Sequence, residues 1–152
     1  MAKGSNVYSA FPGCGKTRAT QWFVENDRFV LDSDSSKFPK ERFPDNYLDH
    51  IEAVRHSVML VFVSSHEPVR KGLVDRGIPF VLVYPDKSLK DEYLKRYDRR
   101  GSGQAFADLL DANWDDWIDQ LVAQRDCEHL VLGSAEYLLD AMMWKGGDDG
   151  EG

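Results

Sequence analysis

The chain has 152 residues, of which 42% are hydrophobic and 30% charged, with a formal net charge of −7. This length suits one domain with its own core. The acidic balance disfavours a nucleic-acid partner, since surfaces that bind a duplex usually carry an excess of basic residues, although a local basic cleft stays possible. Two cysteines are too few for a disulfide framework. With no signal peptide or apolar run of membrane-spanning length, we expect a cytoplasmic protein without a membrane partner.

A glycine-rich pattern comes first in the chain, where Val7 and Tyr8 begin a short apolar run that leads into Ala10-Phe11-Pro12-Gly13-Cys14-Gly15-Lys16-Thr17. A helix-compatible segment follows, so the layout is strand, glycine loop (residues 10–15) and helix, with Lys-Thr where they join. This is the P-loop pattern G-x-x-x-x-G-K-[ST] with alanine at its first position, which costs little if the backbone there keeps a negative φ.

Loop N–H groups and a helix N-terminus together bind phosphates. We therefore expect a nucleotide site in which Lys16 contacts the phosphates and the Thr17 hydroxyl holds Mg²⁺. The residues predicted to bind the nucleotide are Pro12, Gly13, Cys14, Gly15, Lys16 and Thr17.

Strands alternate with helices through the rest of the chain. Strands are predicted at 7–10, 28–31, 58–63, 79–84 and 130–132, and helices at 18–25, 45–54, 68–76, 88–100, 106–110 and 114–123, with a last helix capped by Ser134. Such alternation predicts an α/β fold with a roughly five-stranded parallel sheet and helices on both faces. We expect a single domain over residues 1–145 and a disordered Gly- and Asp-rich tail over 146–152.

A stripe of large apolar residues lies in the segment 114–123. Its spacing of i, i+3, i+4, i+7 and i+8 is typical of one helix face, and its members are Trp114, Trp117, Ile118, Leu121 and Val122. We interpret the tryptophans as core residues rather than as a platform for stacking bases, because any docked helix needs such a stripe.

Two motifs carry a resemblance to known enzymes. The sequence Pro12-Gly-Cys-Gly-Lys16 is similar to the Pro-Gly-x-Gly-Lys form common in adenylate kinases, and Asp32-Ser33-Asp34 resembles the Asp-x-Asp after the second strand of shikimate kinases. With the order of elements, the chain resembles the small P-loop kinases, in particular the nucleoside monophosphate kinase-like group. The resemblance implies a three-layer P-loop kinase fold with a short Arg-rich lid, and ATP and Mg²⁺ as cofactors.

The same resemblance implies roles for the two acidic residues. Asp32 is expected to help hold Mg²⁺ and Asp34 to contact the acceptor, as a catalytic residue beside Lys16. The alternative is that both carboxylates only cap and form a turn. The third predicted strand ends in Ser64-Ser65-His66, where adenylate kinases carry a metal-supporting Asp. This departure moves the metal support to the acidic pair and raises the prospect of a hydroxyl acceptor.

The predicted helix 88–100 lies where these kinases keep their lid. The resemblance implies that Arg96 and Arg100, four residues apart on one face, neutralise charge during transfer and that Arg99 binds the nucleotide. A solvated helix with ion pairs such as Glu92–Arg96 is the alternative.

On the acceptor side, the resemblance places Arg42 and Arg70 near a monophosphate. His66 is left as either a substrate contact or a cap, with no role as acid or base. The sequence thus predicts a phosphotransferase that moves the γ-phosphoryl of ATP to a nucleotide-like acceptor, above all a nucleoside monophosphate. The alternatives are a kinase of a hydroxyl on a nucleoside, polynucleotide end or modified base, and a nucleotide-binding sensor or interaction module without catalysis.

Overall fold

The computed structural model describes residues 5–143. Its strands are β1 (Val7–Ala10), β2 (Val30–Asp32), β3 (Leu60–Ser64), β4 (Val81–Pro85) and β5 (Glu128–Leu132). Its helices are α1 (Lys16–Glu25), α2 (Asp45–Val54), α3 (Glu67–Asp75), α4 (Lys90–Arg100) and α5 (Gln104–Ala123), and residues 138–143 are also helical. Short 3₁₀ turns occupy Ser35–Lys37, Lys40–Arg42 and Lys87–Leu89. The tail predicted to be disordered, 146–152, lies outside the described residues.

The five strands form one parallel sheet in the order β2-β3-β1-β4-β5. Every residue of β3 and β4 is buried, as expected for β-branched apolar runs that are covered on both faces of a parallel sheet. The predicted α/β class and parallel sheet are therefore confirmed, with strand boundaries shifted by a few residues.

The helices lie on both faces of this sheet. The connection from β1 to β2 runs in the opposite direction along the sheet from the three later ones. Because such crossovers are right-handed, this reversal places α1 on one face and α2, α3 and α5 on the other. Helix α2 packs against α3, and α4 packs against α5. Among residues 5–143, no helix is both long and apolar enough to cross a membrane.

Helix α5 is one continuous helix, where the sequence predicted two shorter ones. Trp114 is fully buried, donates from its indole N–H to the Lys87 carbonyl at 2.8 Å and meets the Phe11 ring edge-on. The core interpretation of Trp114 is therefore confirmed. Val122 was wrongly included in the buried stripe, since it is 56% exposed.

Helix α4 packs onto the body of the domain along one face. Tyr93, Arg96 and Tyr97 are buried on that face, and the helix ends at Gly101 in the left-handed conformation. Arg99 and Arg100, by contrast, are exposed at its end. An arginine-rich lid, if this helix supplies one, is therefore restricted to its last turn.

Candidate functional site

A cavity of about 780 Å³ opens at the carboxyl ends of the strands, which we call the strand-end cavity. Its walls come from the glycine loop, from residues 33–36 after β2, from residues 64–66 after β3, from the end of α4 and from Tyr137. This is the edge at which open α/β sheets bind their ligands. Its volume lies within the roughly 300–1,000 Å³ typical of small-molecule sites.

The glycine loop needs glycine at two positions. Gly13 and Gly15 have φ values of +91° and +96°, which L side chains rarely adopt. A Cβ on Gly13 would come within 2.8 Å of the Tyr97 ring, and one on Gly15 within 3.0 Å of the Tyr137 ring. Ala10 is the last residue of β1 and is not among the positive-φ residues, so alanine is tolerated there as expected.

Three consecutive carbonyls of the loop accept hydrogen bonds from α4 and from the N–H of Leu138. The Tyr97 hydroxyl donates to Pro12 O at 2.8 Å, Arg96 Nη1 to Gly13 O at 2.7 Å and the Leu138 N–H to Cys14 O at 2.7 Å. In a trans peptide the C=O and the next N–H point in opposite directions. The Gly13 and Gly15 N–H groups therefore point away from these donors, as phosphate binding would require, whereas the Cys14 N–H donates to Phe11 O at 3.2 Å.

Lys16 begins α1 and lines the strand-end cavity. Burial lowers the pKa of its ammonium, and the positive charge of Arg100 acts in the same direction, while Asp32 and Asp34 oppose the shift. The Lys16 side chain thus lies in a partly desolvated place with both acidic residues and an arginine close enough to influence it. Charges interact more strongly in such a place than in water.

The acidic pair is split between two environments. Thr17 Oγ1 donates to Asp32 Oδ2 at 3.1 Å, so the residues predicted to hold a metal are in contact. Asp34 accepts from the Ser36 N–H at 2.9 Å and from the Ser36 hydroxyl at 2.8 Å, and these hydrogen bonds lower the pKa of its carboxyl. Asp34 thereby forms the turn that was the alternative interpretation, and it also lines the cavity.

Arg96, which the resemblance assigned to neutralising charge during transfer, is held in place by several partners. Its side chain is only 4% exposed and donates to Gly13 O, to Glu136 O at 3.0 Å and to Glu92 Oε2 at 3.1 Å. Its guanidinium also lies 3.9 Å from the Tyr137 ring centroid. These contacts hold Arg96 against the glycine loop at the wall of the cavity, and Arg99 and Arg100, which are exposed, line the same cavity.

The predicted acceptor arginines are not among the residues that line the strand-end cavity. Arg42 is exposed on the turn Lys40–Arg42, away from the residues that line the strand-end cavity. Arg70 is buried, donates from Nε to Ser65 O at 2.8 Å and from Nη1 to the Gln124 amide oxygen, and lines a neighbouring cavity.

Tyr137 is a site residue that the sequence did not reveal. Its ring packs on Gly15, lies under the Arg96 guanidinium and borders the cavity. Ser134 was predicted to cap the final helix. Its hydroxyl instead donates to Glu92 Oε1 at 2.7 Å. The only sequence signal for this wall was its position directly after β5, at the same edge of the sheet as the glycine loop.

Serines after β2 and β3 were also missed as wall residues. Ser33, Ser64 and Ser65 are buried and line the cavity. The Tyr47 hydroxyl connects the two strand ends, since it donates to Ser33 O at 2.6 Å and accepts from the Ser64 N–H at 3.1 Å. In the sequence, a serine at a strand end is not distinguishable from an ordinary turn residue.

Comparison with known proteins gives little further information. No protein-family model matches the chain, and no curated protein matches it. Among solved structures, the chain is similar to that of an uncharacterized protein from Eubacterium ventriosum ATCC 27560, with a TM-score of 0.46 and 15% sequence identity over 95% of this chain and 97% of that chain. Similarity at this level does not assign a function.

Proposed function

We propose that the protein is a P-loop phosphotransferase that moves the γ-phosphoryl group of ATP to a nucleoside monophosphate. The observation that carries this proposal is the position of Lys16. It lies at the N-terminus of α1, in the strand-end cavity, directly after a loop whose carbonyls accept hydrogen bonds from α4.

Phosphate binding follows from the chemistry of these groups. The N-terminus of α1 carries a partial positive charge, and the first N–H groups of a helix have no partner within it. The Gly13 and Gly15 N–H groups of the loop add donors, and Lys16 adds a full charge. Together these groups would hold the phosphates of ATP and neutralise the negative charge that is transferred.

The Thr17 hydroxyl and the Asp32 carboxylate are suited to Mg²⁺. Both are hard oxygen donors, they are 3.1 Å apart, and Mg²⁺ is usually held by one or two protein oxygens with water and substrate phosphates. Residues 5–143 contain no cluster of three His, Cys, Asp or Glu side chains that could form an all-protein metal site. When bound, Mg²⁺ would supply charge neutralisation on the phosphates.

Two exposed arginines at the end of α4 supply the remaining positive charge. Arg99 and Arg100 both line the cavity, and Arg100 is near enough to Lys16 to influence its pKa. Arg100 is loosely held, through a 3.2 Å hydrogen bond to Ser102 and the Tyr97 ring 5.5 Å away. Such side chains can move onto the phosphates when a nucleotide binds and so complete the site during transfer.

The state of Asp34 favours a phosphate acceptor over a hydroxyl. A phosphate is already ionised and needs no general base, whereas a hydroxyl gains from one. The hydrogen bonds from Ser36 lower the pKa of Asp34, which weakens it as a proton acceptor. We therefore assign Asp34 to orienting the acceptor rather than to removing a proton.

A hydroxyl acceptor is the second candidate, and His66 supports it. His66 lies at the end of β3 and lines the cavity. Burial, together with the charges of Lys16 and Arg70, lowers the pKa of its imidazole below 6.5. A neutral imidazole at pH 7 can accept a proton from a hydroxyl.

The decisive experiment is an acceptor screen with γ-labelled ATP. It covers ribo- and deoxynucleoside monophosphates, nucleosides and oligonucleotides, and compares wild type with Lys16→Ala and with Lys95→Ala, an exposed lysine of α4 that lines none of the cavities. We expect label on a monophosphate, loss of at least about 10²-fold in Lys16→Ala and no change in Lys95→Ala. Label on a hydroxyl would support the second candidate, and ATP binding without transfer would indicate a sensor or interaction module.

A further inference from the structure

A second cavity of about 380 Å³ lies between α3 and α5 and borders the strand-end cavity. We call it the aromatic cavity. The two cavities share four wall residues, Pro12, Ser65, His66 and Phe106. A ligand that lies across this shared rim would place one end beside Lys16 and the other between α3 and α5.

The walls of the aromatic cavity differ in chemistry from those of the strand-end cavity. Phe11, Phe106 and Trp117 supply aromatic surface, and Leu109, Leu110 and Leu121 supply aliphatic surface. Planar rings pack well against such walls, because aromatic pairs gain energy beyond the area that they bury. The cavity thus has the lining of a site for a flat, largely apolar group.

Charge on the wall argues against an anion in this cavity. The Arg70 guanidinium donates to Ser65 O and to Gln124, and the carboxylate of Glu67 lies on the same wall. Gln120 and His66 provide hydrogen-bond donors and acceptors. An uncharged ring with polar edges, such as a nucleobase, satisfies this combination, whereas a phosphate would meet the Glu67 carboxylate and an arginine whose Nε and Nη1 already donate to the protein.

We propose that the aromatic cavity binds the base of the acceptor nucleotide while the acceptor phosphate lies across the rim in the strand-end cavity. This proposal rests on the proposed phosphotransfer function and names where its specificity is set. It also gives Leu109 a role, since this leucine is 51% exposed at the cavity wall. Bases would be distinguished by the edge groups that Gln120, His66 and Glu67 can reach.

The first test fills the cavity and measures acceptor kinetics. Leu109→Trp adds bulk at the cavity wall, and Val122→Trp, on the same helix and 56% exposed, adds it elsewhere. With saturating ATP, we expect Leu109→Trp to raise the KM for the preferred nucleoside monophosphate by about tenfold or more, with the KM for ATP unchanged. Val122→Trp should behave as wild type, and equal acceptor KM values in both variants would overturn the proposal.

The second test needs no turnover and separates this proposal from the proposed function. Trp117 lines the aromatic cavity, whereas Trp22 lies on α1 outside it. Titration with common nucleosides, which lack a phosphate, should quench tryptophan fluorescence in wild type and in Trp22→Phe but not in Trp117→Phe. Quenching without any phosphotransfer would contradict the proposed function alone. Phosphotransfer without Trp117-dependent quenching would contradict the cavity assignment alone.

Discussion

Arg96 donates a hydrogen bond from Nη1 to the carbonyl oxygen of Gly13 at 2.7 Å, across a separation of 83 residues in the chain. The same guanidinium holds Glu136 O, in the segment that follows β5. Arg96 therefore joins the glycine loop to the segment after β5, and a buried arginine with three acceptors contributes to the shape of the site before any ligand arrives.

We expect Arg96→Ala to destabilise the protein by about 3 kcal/mol, because it removes the donor to the buried Gly13 carbonyl and to the half-buried Glu136 carbonyl, and one of three donors to Glu92. Arg99→Ala, an exposed neighbour on the same helix, is the matched control and should change the free energy of unfolding by less than about 0.5 kcal/mol. Urea denaturation followed by circular dichroism measures both. Equal stability of the two variants would contradict the placement of Arg96.

Arg100→Ala should impair catalysis rather than folding. Its contacts in the structure are weak, so stability should be preserved, while kcat should fall by about 10²-fold and the KM for ATP should rise by less. Lys95→Ala, on an exposed part of the same helix, is the control. If Arg100→Ala keeps wild-type kinetics, the end of α4 is only a solvated surface.

We expect variants of Asp32 and Asp34 to differ in how their activity depends on the Mg²⁺ concentration. Asp32→Asn removes the charge beside Thr17 and should raise the Mg²⁺ concentration needed for half-maximal rate. Asp34→Asn should reduce kcat by less than about 10²-fold, with partial recovery at high Mg²⁺, because a phosphate acceptor needs no general base. A deeper loss that Mg²⁺ does not rescue, with ATP binding intact, would instead identify a hydroxyl acceptor.

Glu92 makes stability depend on pH in the acidic range. The Ala135 N–H and the Ser134 hydroxyl, with a further contribution from Arg96, lower the pKa of Glu92 below 4.5. The folded state therefore favours the ionised carboxylate, which adds stability above pH 4.5, and this stability is lost as the pH falls through the lowered pKa.

Glu92→Gln should accordingly have a lower Tm than wild type at pH 7, and the difference should shrink below pH 4.5. Thermal unfolding across pH values measures it, with Glu41→Gln, an exposed carboxylate of the turn Lys40–Arg42, as control. A difference that is the same at every pH would mean that the charge of Glu92 is irrelevant and only its shape is needed.

The sequence by itself determined the α/β class, the parallel sheet and the place of the glycine loop. These features depend on patterns within short segments: β-branched apolar runs in β3 and β4, the apolar periodicity of α5, and two glycines before Lys16. The proximity of Thr17 and Asp32 could also be predicted from the sequence, because the carboxyl ends of parallel strands meet at one edge of the sheet.

Only the tertiary structure decided which arginines of α4 are buried and which are exposed. Arg96 and Arg100 are four residues apart on one helix, and their local sequence does not distinguish them. Arg96 is buried because Gly13, Glu136 and Tyr137, all distant in the chain, surround it, whereas the helix ends at Gly101 and leaves Arg100 in solvent. Burial is set by such distant partners. Contacts between segments that are distant in the chain also form the cavity wall at Tyr137 and the aromatic cavity between α3 and α5.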